Sequence, residues 1–289
     1  MQHGIGQYMR GSLEPTRSFS EEERAQKKRF GEFYERSLTP VMRSIGNHVC
    51  GCDYVGNSWT THAEADEVIE RLELRSGLRL LDLGAGSGWP GLYTAQKTGC
   101  DVVLIDLPEI GLRIAMDRAD TDGIKNHVTA TAADASDLPF PDQSFEAISH
   151  SDLLCCLLRK RDVLESCRRV VRPGGRMVFT VISVAPGLSA AERRRGLENG
   201  PEFIESEADY STLLAQTGWT AEACEDVTSA FERSYRRQIV ADEQNQDDLC
   251  ELIGSDDLAT RMQAWRSKLF AISDGLLRRE LFVVVPAPT

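Results

Sequence analysis

No stretch of the 289-residue chain approaches the roughly 20 consecutive apolar residues that a membrane-crossing helix needs. The first ten residues, Met1 to Arg10, lack the apolar core of a secretory signal, so the chain reads as cytoplasmic. Basic residues are in the minority: 33 Lys and Arg stand against 45 Asp and Glu, a net charge of −12. Such a surface repels phosphate backbones and disfavours a nucleic-acid substrate. The eight cysteines form no paired C-x-x-C sets, so no metal site is expected; Cys50-Gly51-Cys52 is the one suggestive pair. Cys155, Cys156 and Cys167 fall in apolar stretches and read as small core residues. Internal repeats and low-complexity tracts are lacking too. What is there, 41% hydrophobic and 27% charged residues, suits one large soluble domain, or one domain with additions, able to bury a substantial core.

Ser20-Glu21-Glu22-Glu23 is a capping box that opens a helix to about Ser37, with Phe30, Phe33 and Tyr34 on one side. A turn-rich stretch, His48 to Trp59, follows. Thr61-His62-Ala63-Glu64 is a second capping box, and Ala65, Val68, Ile69 and Leu72 keep the helical period behind it. Residues 1–62 therefore read as an N-terminal helical arm or lid, and 63–289 as the main domain. From Arg79 strand and helix alternate, with strands near 79–83, 101–106, 127–132, 145–149 and 176–184. Helices fall at 90–98 and 109–120, and Val163, Leu164, Cys167, Val170 and Val171 mark one face of another. Such alternation predicts an α/β, doubly wound, mostly parallel sheet covered on both sides. After Pro186 come a basic helical piece from Ser189, a helix over 207–217, a sixth strand over 220–227, helices over 228–277 and a closing strand over 281–285. Tyr210 and Trp219 read as core between the last helix and the sixth strand.

The stretch from Leu80 to Gly91, LLDLGAGSGWPG, runs from apolar residues through Asp82 into closely spaced glycines. It reads as a buried strand, a tight turn and a helix start with Pro90 in its first turn. Free amides at that helix start would face an anionic group on a ligand. Gly86, Gly88 and Gly91 also fit the dinucleotide pattern G-x-G-x-x-G, with Asp106 about 20 residues on. A buried Asp82 needs partners, which a cationic cofactor group or the neighbouring turn would supply.

Asp82-Leu83-Gly84-Ala85-Gly86-Ser87-Gly88 resembles the first motif of the class I S-adenosylmethionine-dependent methyltransferases. Val102 to Asp106 resembles their second strand and its terminal acid. Ala133-Asp134-Ala135 with Leu138 to Phe145 resembles the adenine-binding segment and the loop before strand four. Arg169 to Gly175 resembles the turn before strand five. The tail, with Tyr210, Glu225 to Thr228 and Phe231, is similar to the ubiquinone-pathway and phosphoethanolamine-type members. The resemblance implies a seven-stranded Rossmann-like sheet with an antiparallel last strand and a helical insertion over 228–277. It also implies S-adenosyl-L-methionine as cofactor, held by Asp82, Gly84, Ala85, Gly86, Gly88, Asp106, Leu107, Asp134 and Ala135. Asp106 would accept from the ribose hydroxyls and Asp134 from the adenine amino group. Their other readings are a strand-end turn acid and a cap for the turn Ala135-Ser136-Asp137.

The implied reaction is methyl transfer to a small-molecule oxygen or nitrogen acceptor, an in-line displacement that depends on alignment. An acceptor that must lose a proton needs a base, and His150 at the end of strand four is the candidate. It reads equally as a cofactor neighbour or a satisfied core histidine. His62, just inside a capped helix, is a weaker candidate. Tyr54 and Trp59 would cover cofactor or acceptor with aromatic faces that attract a sulfonium, or simply pack within the lid. Ser149-His150-Ser151-Asp152 is no Asn-Pro-Pro-Tyr-like run, which departs from the amino-methylating nucleic-acid enzymes. Two alternatives stand beside this reading: an NAD(P)-dependent oxidoreductase, and a non-catalytic S-adenosylmethionine-binding module. The sequence does not fix the oligomeric state, and a homodimer is carried as an expectation.

Overall fold

Each apolar run of the central region becomes a strand in the computed structural model, which describes residues 17–52, 54 and 58–288. Residues 1–16 of the expected N-terminal arm, positions 53 and 55–57 of the turn-rich stretch and residue 289 lie outside the described residues. The strands are β1 (Arg79–Leu83), β2 (Asp101–Asp106), β3 (Val128–Ala132), β4 (Phe145–Ser151), β5 (Val171–Val184), β6 (Trp219–Asp226) and β7 (Leu277–Pro286). They form one sheet in the order β3-β2-β1-β4-β5-β7-β6. The first five pair in parallel, and β7 runs antiparallel to both of its neighbours. The order turns back at β1 and β4, the point where open sheets of this kind take ligands.

Side-chain alternation sorts the core into two layers. Leu81, Leu83, Val103 and Ile105 pack on one side with Val163, Leu164 and Cys167 of α6 (Lys160–Val170). Leu80, Val102 and Leu104 pack on the other with Leu92 of α4 (Gly91–Thr98), Leu112 and Ala115 of α5 (Glu109–Thr121) and Val68 of α3 (His62–Arg71). The capping boxes at Ser20 and Thr61 form, each with a glutamate side chain reaching back to the cap residue. Ser20 opens α1 (Glu21–Arg36). Tyr210 and Trp219 are buried, and the Trp219 indole donates to the Leu164 carbonyl at 3.0 Å.

The structure differs from the expectations at three places. A helix α2 (Pro40–Cys50) covers residues to which the sequence reading gives no element, and its buried Val41, Met42, Ile45 and Val49 share one face. β5 begins at Val171 rather than 176, with Gly174 at φ 75° inside an irregular stretch where Phe145 pairs with Val171 but Ala147 pairs with Arg176. β7 begins four residues earlier than expected, because Leu277 to Glu280 also pair with β5. Between β5 and β6 lie α7 (Ala190–Asn199) and α8 (Tyr210–Gln216). Between β6 and β7 lie α9 (Thr228–Gln244), α10 (Gln246–Ile253) and α11 (Ser255–Ser273). Among the described residues no helix is long and apolar enough to cross a membrane.

The early part of β7 carries an unusual residue for a sheet interior. Arg279 is fully buried. Its Nε donates to both carboxylate oxygens of Asp152 at 3.0 and 3.1 Å, Nη1 to Glu64 at 2.5 Å and Nη2 to Thr180 at 3.1 Å. One guanidinium thus ties β7, the end of β4, β5 and the start of α3 together. Truncating it would strand two carboxylates with little access to water, which is more costly than losing the attraction alone. Arg279→Leu is expected to lower unfolding free energy by about 3–5 kcal/mol in urea titration. A loss below about 1 kcal/mol would show that water reaches these acids and replaces the guanidinium.

Candidate active site

A cavity of about 420 Å³ opens at the carboxyl ends of the parallel strands, beneath α1. That size is typical of a small-molecule site. At one end its wall is Gly84, Ile105, Asp106, Leu107, Asp134 and Ala135. Phe30, Phe33 and Tyr34 of α1 close it from above. At the other end stand Trp59, Asp152, Cys156, Tyr235, Trp265 and Lys268.

Gly84 follows β1 directly, with φ 65°, a conformation that favours glycine. A Cβ there would lie 2.8 Å from Leu153 Cδ1, so the peptide stays bare where it meets the cavity. Asp106 ends β2. Its Oδ2 accepts from the Gly86 amide at 2.7 Å and from the Tyr34 hydroxyl at 3.3 Å, and its Oδ1 accepts from the Leu107 amide at 2.7 Å. Burial nevertheless pushes the Asp106 carboxyl up to about 6 against these donors. Asp134 is buried; Oδ1 accepts from the Ser136 amide at 2.9 Å and Oδ2 from Arg17 Nε at 2.8 Å. Arg17 also pairs with Glu23, so α1 and the residues before it hold the very carboxylates that the sequence singles out.

Of the expected site residues, the cavity wall includes Gly84, Asp106, Leu107, Asp134, Ala135 and Trp59. It does not include Asp82, Ala85, Gly86, Gly88, Tyr54 or His150. Gly86 serves through its amide on Asp106, and Gly88 packs against Leu92 and Ala115. Ala85 is buried within the layer on the α4 side. Tyr54 leans on Trp89, ring centroids 5.2 Å apart, with its hydroxyl toward Asp122, so it covers α4 and α5 rather than the cavity.

Asp82 corrects the expectation for the helix start. It shares the face of Leu80, and its carboxylate points at the first turn of α4. Oδ1 accepts from Ser149 at 2.9 Å; Oδ2 faces the Gly91 amide, near enough to favour the charge but without a well-aligned hydrogen bond. A Cβ on Gly91 would lie 2.5 Å from that oxygen. The anion at this helix start is the chain's own carboxylate, and Pro90 stands at the N-cap, one residue outside the helix. Burial pushes Asp82 up to about 7.

His150 is also corrected. Its ring stacks on Phe179 at 4.5 Å, both ring nitrogens are buried without partners, and burial pushes it down to about 3. A base must reach the proton it takes, and this imidazole faces the core. His62, at the start of α3, packs edge-on to Tyr93 at 4.4 Å, outside the cavity.

With this geometry in view, comparison with known proteins finds a likeness over the central strands. Residues 81–179 match the family model described as a methyltransferase domain. The chain is 29% identical over 218 residues to phosphoethanolamine N-methyltransferase 1 of Zea mays, covering 75% of this chain and 43% of that protein. It is 33% identical over 176 residues to 27-O-demethylrifamycin SV methyltransferase of Amycolatopsis mediterranei, covering 60% and 65%. The chain thus spans less than two thirds of the length of these relatives. Among solved structures, the [4+2]-cyclase SpnF superposes with a TM-score of 0.68 at 22% identity, over 91% of this chain and 97% of that one. This last likeness shows the fold alone.

The methyltransferase fold carries several cavity residues to which the sequence reading gives no site role. Asp152, just past β4, has φ 53°, rare for a residue other than glycine, and is held there by Arg279. Only its neighbourhood in sequence, the run Ser149 to Asp152, hinted at it. Tyr235 and Trp265 come from α9 and α11, and their aromatic character among charges was the available signal. Trp59 stacks on Tyr235 at 4.2 Å and meets Trp265 edge-on at 5.8 Å. Fully buried Asp242 anchors this wall, accepting from the Trp265 indole at 2.9 Å and Arg261 Nε at 2.6 Å.

The two corrected residues pull stability in opposite senses with pH. Asp82 binds its proton more tightly folded than unfolded, so its contribution falls as pH rises from about 4 to about 7. His150 binds its proton more weakly when folded, so its contribution falls as pH drops from about 6.5 toward 3. Asp82→Asn is therefore expected to gain on the parent protein between pH 4 and pH 8, by an amount on the order of 4 kcal/mol at most. Urea unfolding of both proteins across that range checks it; a difference that does not vary with pH would show Asp82 ionised throughout.

Proposed function

We propose that this chain transfers a methyl group from S-adenosyl-L-methionine to a small-molecule oxygen or nitrogen acceptor. The observation that carries this is the Asp82 carboxylate at the start of α4. A dinucleotide's pyrophosphate would need those amides, and the buried Asp82 carboxyl already fills the approach to them. The cavity instead offers a bare peptide at Gly84 with carboxylates at Asp106 and Asp134, which suits a ligand that is cationic at one end and rich in donors at the other.

The residues fit the cofactor. Gly84 gives room for its amino-acid tail, Asp106 accepts from the ribose hydroxyls, and Asp134 accepts from the adenine amino group beside Ala135. Those hydroxyls and that amine would replace or share the donors Tyr34 and Arg17. When bound, the cofactor supplies an electrophilic methyl whose carbon–sulfur bond breaks toward sulfur as the acceptor's lone pair attacks. The chain's part is alignment and exclusion of water: α1 covers the site, and the Trp59–Tyr235–Trp265 wall shapes the acceptor end. With His150 turned into the core, the chain leaves the acceptor's proton to solvent or to the acceptor's own ionisation. The same reading keeps the expectations of a cytoplasmic protein that acts without nucleic acid, supported by the net charge of −12.

S-adenosylhomocysteine is expected to bind in calorimetry while NADH does not; the reverse preference would revive the oxidoreductase reading. Turnover with radiolabelled donor on any acceptor of a small-molecule panel separates an enzyme from a non-catalytic binding module. Asp106→Ala should weaken S-adenosylhomocysteine binding by about 1–3 kcal/mol, the usual worth of charge-assisted hydrogen bonds. Binding should also weaken below pH of about 6, where the Asp106 carboxyl takes up its proton. Unchanged affinity in Asp106→Ala would remove the ribose role.

A further inference from the structure

The acceptor end of the cavity has a charge arrangement that narrows what it can hold. Five acidic residues line the whole cavity, and each already has donors. Glu23 and Asp134 take Arg17, Glu202 takes Arg29, Asp152 takes Arg279, and Asp106 takes two backbone amides and Tyr34. Lys268 is different. It lines the cavity, is only partly exposed, and has no carboxylate partner among the described residues. Burial lowers its ammonium from the usual value, as expected for a cation short of counter-charge. Lys27, the other lining lysine without an ion pair, is exposed on α1 and acts on Asp106 at the opposite end.

Lys268 follows Trp265 by three positions on α11, so the two side chains share a helix face. Trp265 in turn belongs to the aromatic wall. That wall is not a cage for a quaternary ammonium. Trp59 lies flat against Tyr235, and Phe231 and Trp265 meet these rings edge-on, so the rings pack on one another instead of surrounding a space, and the Arg261 guanidinium already lies 5.2 Å from the centre of the Trp265 ring. A cationic acceptor would also meet Lys268 with no free carboxylate to offset it. An aromatic wall beside an ammonium that has no carboxylate partner among the described residues calls for the opposite: a ring that packs against the wall and an anion that reaches the ammonium.

From this juxtaposition we infer that the acceptor is a planar aromatic acid, its ring against Trp59, Tyr235 and Trp265 and its anionic group on Lys268. The inference rests on the methyl-transfer reading and makes Lys268 its specificity-determining residue.

The test uses the full chain with saturating S-adenosylhomocysteine and calorimetric titration of three probes: hydroxybenzoate, its neutral amide, and phosphoethanolamine. Hydroxybenzoate should bind about tenfold or more tighter than the amide, as a charged hydrogen bond is worth. Lys268→Met should reduce that gap to within about twofold, and Lys268→Arg should keep most of it. Trp265→Ala should weaken acid and amide alike. Equal binding of acid and amide, a gap that survives Lys268→Met, no binding of the acid, or preference for phosphoethanolamine would each overturn the inference. Failure to bind S-adenosylhomocysteine would instead refute the methyl-transfer reading, so the two failures are told apart in one experiment.

Discussion

A guanidinium shut away from water has to be met by oxygens from several directions, and the Arg279 side chain meets that demand with groups distant in sequence. It draws on Asp152, Glu64 and Thr180. Glu64 is itself half of the capping box that starts α3, and Thr60, just before that box, bonds Ser151 at the end of β4. The floor of the cavity, the entry of α3 and the reversed strand β7 are therefore one polar unit. Asp152 can stay at a positive φ because its carboxylate is pinned from behind. The aromatic wall inherits its placement partly from this unit, since Trp59 lies on the short segment leading into Thr60 and Thr61.

A second polar unit governs the other end. The Asp106 carboxylate bridges the tip of β2 to the glycine turn after β1 through the Gly86 amide. That bond shapes the turn so that Gly84 presents bare backbone to the cavity. The same carboxylate receives the Tyr34 hydroxyl, so the lid helix docks on the group that a ligand would use. Arg17 repeats the pattern on Asp134. Lid and ligand address the same oxygens, which couples the position of α1 to the filling of the cavity.

The order of strands and helices was legible because alternating apolar runs and glycine or proline punctuation carry it. So were the acids at strand ends. What the sequence could not supply was depth. In the sheet register Asp82 lies opposite Leu104 and His150 opposite Leu83, whereas Asp106 lies two residues beyond Leu104. At about 3.3 Å per residue, Asp82 sits roughly 7 Å below Asp106, under the turn instead of at the rim. A shift that small turns a ligand contact into a helix-start anion, and it is set by inter-strand pairing that no local pattern records. Tyr54 fails for a related reason: its aromatic character was plain, but only the packing of α4 and α5 shows which surface it covers.

The acceptor end was hidden for a different reason. Tyr235, Asp242, Trp265, Lys268 and Arg279 all lie beyond residue 179, where the match to the methyltransferase family model stops. They sit on α9, α11 and β7, brought together across the sheet from segments whose helical pattern gives faces but no partners. The [4+2]-cyclase SpnF shares the sheet and its helices at 22% identity. Sheet and glycine turn are common property of this fold; what distinguishes one chain from another is the wall laid over the strand ends by the later helices. Here that wall is a packed aromatic cluster beside an ammonium that has no carboxylate partner among the described residues, held by a buried carboxylate at Asp242 and a buried guanidinium at Arg279. The features particular to this end of the cavity therefore reside beyond the stretch that matches the family model, and substitutions there can reshape the wall while leaving the glycine turn and the Asp106 end of the cavity intact.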